Sequence, residues 1–224
     1  FLSLLKRNTS RLGLICAGFN ICLLLPFDSV AAIEQIRGQA LQGDLMVFKA
    51  EAGTQLLLDG VPLAISPAGY FAFGFHRDDN TAIRLNILSP DGNTQQLVLS
   101  PQTRTYDIQR IDNLPSSMVT PPQEVLDRIR QDRMDVKSAR AIFSRQEDAL
   151  AHGFDWPVWG RISGIYGSQR ILNGKPRQPH YGIDIAAARG LAVKAPADGT
   201  IVMAKELYFT GGTIIIDHGY HLNS

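Results

Sequence analysis

Cysteine is almost absent from this chain of 224 residues, and the two present, Cys16 and Cys22, both lie in its first segment. Outside that segment there is no thiol, which excludes a disulfide framework and cysteine chemistry and leaves stability to core packing. Charge of one sign is also lacking. Lys and Arg number 22 against 21 Asp and Glu, for a net charge of +1. Residues 1–31 hold three of those basic groups and one acidic group, so the remainder carries 19 against 20. No basic face of the kind that captures nucleic acid is available, and nucleic acid is not an expected partner. Apolar runs are short: the longest, LGLICAGFNICLLLPF at 12–27, falls below the ~20 residues of a comfortable bilayer span.

That run has a definite context. Lys6, Arg7 and Arg11 precede it, and Ser29, Val30, Ala31 and Ala32 follow. A basic n-region, an apolar h-region and small residues at the cleavage site form a secretory signal peptide, assigned to 1–32. The expectation is export to the periplasm or cell envelope, with no membrane span in the mature protein. An uncleaved N-terminal anchor is the other reading, and it also places the rest of the chain outside the cytoplasm. No lipobox precedes either cysteine.

Composition otherwise describes a folded protein, with 45% hydrophobic and 19% charged residues. Residues 38–112 read as short strands between turns. Asp59-Gly60 is a hairpin signal, and Ser66-Pro67-Ala68-Gly69 and Pro90-Asp91-Gly92-Asn93 are further turns. Tyr70 to Phe75 alternates aromatic and small residues at period two, as Ile83, Leu85 and Ile87 alternate with polar ones. A small β-sandwich is predicted, its alternating aromatics facing the core. His76, beside Arg77-Asp78-Asp79, is expected in a solvated polar loop. Residues 113–122 (NLPSSMVTPP) read as a linker. Pro121-Pro122 then opens a helix that presents Val125, Ile129, Val136, Ala139 and Phe143 on one face and ends at Gly153. A packing helix between two domains is its expected role, with a partner-binding helix as the alternative. Beyond Phe154, β segments are expected at 193–196, 199–204 and 212–217. The fold class is therefore mainly β: a sandwich at 38–112, a linker and helix at 113–153, and a β-rich domain from 154 to 224.

Chemistry concentrates in RQPHYGIDIAA (177–187). His180 and Asp184 stand four apart, but Pro179 and Gly182 disfavour a helix, so the pair is placed where a loop enters a strand. Imidazole and carboxylate are both good zinc ligands, and a catalytic zinc takes three protein ligands with one position open. By spacing alone, a structural His–Asp hydrogen bond accounts for the pair equally well.

The surroundings carry more. YGSQRILNGKPRQPHYGIDIAAARGLAVKAPADGTIVMA (166–204) resembles the catalytic domain of lysostaphin-type, or LytM-like, zinc endopeptidases, whose His-x-x-x-Asp motif precedes an apolar strand, a small-residue stretch and an Ala-x-x-Gly-like turn. Gly211 to Gly219 resembles the next hairpin of that family. The resemblance spans Trp156 to the end and implies a partial β-rich peptidase domain of duplicated hybrid motif. It implies Zn2+ as cofactor, held by His180 and Asp184 as the first two ligands, and peptidoglycan as substrate. The third ligand and the catalytic histidines of the family, in His-x-His and Tyr-x-His motifs, are expected downstream of Ser224, so no catalytic residue is assigned and these 224 residues are expected not to hydrolyse cell wall. Arg170 is a candidate for lining the substrate groove, and a solvated surface position is its other reading. His218 matches a structural His-Gly turn, and His221 is not assigned as a ligand. The resemblance thus implies an exported metalloendopeptidase that cuts peptide crosslinks. The alternatives are a catalytically inactive LytM-type domain that binds and activates another cell-wall hydrolase, and a plain binding module centred on the sandwich.

Overall fold

The computed structural model describes residues 33–114 and 121–224. Residues 1–32, expected to be a signal peptide, and most of the expected linker lie outside the described residues. No helix among them is long and apolar enough to cross a membrane.

The first unit is built as its alternation dictates. Strands β1 (Glu34–Arg37), β2 (Leu45–Lys49) and β5 (Tyr70–Gly74) form one antiparallel sheet in the order β1-β2-β5. Strands β3 (Gln55–Leu58), β4 (Val61–Leu63), β6 (Ile83–Leu88) and β7 (Thr94–Leu99) form a second, in the order β4-β3-β6-β7. Asp59 and Gly60 both take positive φ in the β3–β4 hairpin, as a tight type I′-like turn demands. Met46, Phe48, Phe71 and Phe73 of the first sheet meet Leu56, Leu85 and Ile87 of the second in one buried cluster. Phe48 stacks on both Phe71 and Phe73, at centroid separations of 5.4 and 5.1 Å. The predicted sandwich and its aromatic core are present.

Strand β8 (Ile108–Ile111) departs from expectation. It leaves the sandwich and pairs in parallel with β10 (Gln169–Leu172), which in turn pairs with β11 (Lys175–Pro176). The two β units are therefore stitched by backbone hydrogen bonds.

The predicted helix also divides. After a 3-10 turn at Gln123–Val125, α1 runs Leu126–Arg140 and α2 runs Asp148–His152, with irregular backbone between. Tertiary hydrogen bonds hold that break. The Ser144 carbonyl accepts from Tyr220 N–H at 3.0 Å, and Gln146 Nε2 donates to Thr200 Oγ1 at 2.9 Å. Phe143, assigned to the helical apolar face, instead lies against the rings of Tyr220 and His221.

A second core seals the join. Val47, on the outer face of β2, packs with Ala149 and Leu150 of α2, Phe154 and Leu222. Arg37 donates to the Leu150 and Ala151 carbonyls at 2.5 and 2.6 Å, satisfying acceptors left open at the end of α2. In the last unit β9 (Arg161–Gly164) pairs with β12 (Asp184–Ala186), and β13 (Thr200–Leu207) with β14 (Gly211–Asp217). The expected strand at 193–196 does not form: those residues are irregular, with Lys194 N–H donating to the Pro157 carbonyl and the Pro196 carbonyl accepting from Asp155 N–H.

Candidate functional site

Asp184 opens β12 opposite Gly164, and the register shifts between Asp184 and Ile185. Such a bulge re-aims a side chain out of strict alternation. Gly164 is what leaves room for it. A Cβ at position 164 would overlap Asp184 Oδ2 and lie 2.9 Å from its Cγ.

His180 precedes the strand in a loop fixed by main-chain bonds on both sides. Its N–H donates to the Ser168 carbonyl at 2.8 Å, and its carbonyl accepts from Gly167 N–H at 2.7 Å. The ring is set by a third contact, Nδ1 to the Ile165 carbonyl at 3.2 Å. A carbonyl can only accept, so Nδ1 carries the proton, and in the neutral ring Nε2 presents a lone pair. Nε2 faces Asp184 Oδ1 at 3.2 Å. A lone pair and a carboxylate oxygen at that distance repel unless a proton or a cation lies between them.

The donor set fits zinc on two counts. Tetrahedral geometry with bonds of 2.0–2.2 Å places ligand atoms about 3.4 Å apart, close to the spacing of this pair. A ligating histidine also commonly donates its other N–H to a backbone carbonyl, as His180 does to Ile165. Both side chains are accessible, Asp184 at 62% and His180 at 34%. No group of three or more His, Cys, Asp and Glu suited to a metal occurs among the described residues.

Sequence reasoning missed the brace beneath this loop. His76 is exposed, as expected of its loop, but its neighbour Arg77 is buried, at 6% exposure. Its Nε donates to the Gly167 carbonyl at 2.8 Å, and its guanidinium lies 4.4 Å from the centre of the Tyr106 ring. An arginine of the sandwich thus props the turn whose N–H holds His180. Aromatic rings fill the surroundings: Tyr106 against Tyr166, Tyr166 against Tyr181, and Tyr181 against His76 at 5.3 Å. Burial pushes the Tyr166 phenol above its ordinary value, and the neighbouring Tyr106 and Tyr181 add to the shift. A buried Arg in a DD-flanked loop leaves no periodic signal, so only the assembled structure reveals it.

Arg170 lies exposed on β10, between β8 and β11. Its side chain forms no ion pair with Asp184 among the described residues. His218 is fully buried, with Nδ1 on the Asp198 carbonyl and Nε2 on Ser224 Oγ, both at 2.7 Å. Both its nitrogens are engaged in structural contacts. His221 rests on Phe143 with a ring separation of 4.9 Å.

Residues 178–224 match the family described as Peptidase family M23, and that segment begins two residues before His180. A crystal structure described as a peptidase M23 from Pseudomonas aeruginosa shares the fold. It superposes with a TM-score of 0.59 at 21% identity, over 83% of this chain and 72% of that one. A comparison with curated proteins finds no match. Similarity to peptidase family M23 thus covers residues 178–224, the His180–Asp184 segment and the strands that follow it.

Proposed function

We propose that this chain works on peptidoglycan outside the cytoplasm, with its M23-type unit presenting the His180–Asp184 pair to the peptide crosslinks of the wall. The observation that carries the reading is the convergence of Nε2 and Oδ1 at 3.2 Å on an accessible loop–strand junction. In this reading the accessible junction serves a domain that binds the wall and activates another cell-wall hydrolase.

A second reading, zinc endopeptidase, is favoured by the ring orientation of His180. The Ile165 carbonyl fixes the tautomer and directs the Nε2 lone pair at the space shared with Asp184. His180 and Asp184 would hold the ion, which supplies Lewis-acid polarisation of a peptide carbonyl when bound. The chain's own part is to fix both ligand atoms before substrate arrives. Gly164 does so by leaving room for the Asp184 carboxylate, and Gly167, braced by Arg77, by holding His180.

Sedimentation with purified sacculi, together with peptide release with and without Zn2+, separates the readings. The first expects binding, no release by the chain alone, and faster release when a cell-wall amidase is added. Zinc-dependent release that His180→Ala abolishes would replace it with the second. Failure to sediment would overturn both.

A further inference from the structure

Helix α1 is tied to hairpin β13–β14 along one side only. Asp132 accepts from Tyr208 N–H at 2.8 Å, Lys205 pairs with Asp135, and Ile129 is buried. Beside this seam lies an open groove of about 710 Å³ between the helix and the hairpin. Its helical wall carries Arg133, Lys137 and Arg140 at positions i, i+4 and i+7, a single row about 10 Å long at 1.5 Å rise per residue. All three are exposed, and none forms an ion pair among the described residues. Asp132, the one carboxylate lining the groove, is already held by Tyr208 N–H, with Lys205 at 3.9 Å. The apolar part of the lining includes Val136 and the exposed ring of Phe209. Gln178 lines the groove as well, and stands two residues before His180.

We propose that this groove is a binding site for an acidic peptide, whose carboxylates meet the row Arg133–Lys137–Arg140 and whose small apolar side chains lie on Val136 and Phe209. Charge complementarity selects the occupant: three unpaired cations on an apolar floor suit a chain that alternates carboxylates with methyl groups. Peptidoglycan stem peptides, with glutamyl and diacid residues between alanines, have that chemistry. Naming them rests on the function proposed above, while the acidic-peptide site does not. An extended residue advances about 3.3 Å, so Gln178 connects the groove to the His180 loop within roughly 7 Å of main chain. A stem bound along α1 would lie beside the His180–Asp184 pair.

The test is calorimetric binding to the full chain of a synthetic stem tripeptide, L-Ala-γ-D-Glu-diaminopimelate, and of the same peptide with its carboxylates amidated. Substituting Arg133→Gln, Lys137→Gln or Arg140→Gln should each weaken the acidic peptide roughly threefold, and the triple variant tenfold or more. The amidated peptide should bind the wild type as weakly as the acidic peptide binds the triple variant. Raising ionic strength from about 0.05 to about 0.5 M should weaken only the acidic peptide. The substituted residues are exposed, and circular dichroism verifies folding. Equal affinity of wild type and triple variant, or no discrimination between the two peptides, would overturn the site. Sacculus sedimentation by the same proteins distinguishes the failures. Stem binding that needs the cations but occurs without sedimentation keeps the groove and removes the wall-directed function. Sedimentation by a wild type that ignores the stem peptide does the reverse.

Discussion

Replacing Arg77 with alanine removes a group that serves both β units at once. Its Nε–H bond to the Gly167 carbonyl is a charge-assisted bond in a buried setting, the kind whose loss costs about 1.5–3 kcal/mol. The guanidinium over Tyr106 adds roughly 0.5–2 kcal/mol. Its ion pair with Asp78 faces solvent on the carboxylate side, at 61% exposure, and adds at most about 1 kcal/mol. We therefore expect Arg77→Ala to destabilise the chain by about 3 kcal/mol, a fall in Tm of roughly 6–12 °C for a protein of this length. The damage should be local first. Gly167 N–H donates to the His180 carbonyl and His180 N–H to Ser168, so amide exchange at Gly167 and His180 should accelerate before that of the sandwich. Arg77→Lys keeps the charge but not the Nε donor, and should recover less than half of the loss. Thermal unfolding by circular dichroism with exchange by mass spectrometry reads both effects. A Tm within about 1 °C of wild type, with unchanged exchange at 165–182, would refute the brace.

Gly164→Ala should shift Asp184 while costing the fold less than about 1 kcal/mol, because the overlapped atom ends an exposed, movable side chain. Zinc affinity by calorimetry should fall about 10–100-fold, as when the support of a ligand is lost, with Tm preserved. Phe71→Ala removes a fully buried ring stacked on Phe48 and should cost about 3–5 kcal/mol in urea unfolding. Hydrogen bonds from Lys205 and then Gln131 hold the Asp135 carboxyl below its ordinary value. With the folded-state value depressed, its contribution is present above the unfolded value, near 4, and fades as pH falls through the folded one. Lys205→Met should return Asp135 toward the ordinary carboxylate range, read by carboxyl carbon NMR.

The sequence alone determined whatever depends on near neighbours. Period-two aromatics and the Asp59-Gly60 turn specify the sandwich, because strand alternation and positive φ are local properties. Pro179 and Gly182 keep His180 and Asp184 off a helix, and the structure places them at the mouth of β12. What only the tertiary structure decided involves partners distant along the chain. Ile108–Ile111 has an edge that several strands could satisfy, and contact with residues 169–172 selected one. Phe143 fits a helical stripe, but the hydrogen bond from Tyr220 to Ser144 outweighs the modest preference of a few residues for helix. Arg77 looks like a surface cation until the loop at 165–168 arrives with a carbonyl that needs a donor. Spacing could put a His–Asp pair in sequence. Its geometry was set by Gly164, Ile165 and an arginine ninety positions before the turn it holds, because a ligand's direction is fixed by what packs and hydrogen-bonds around it.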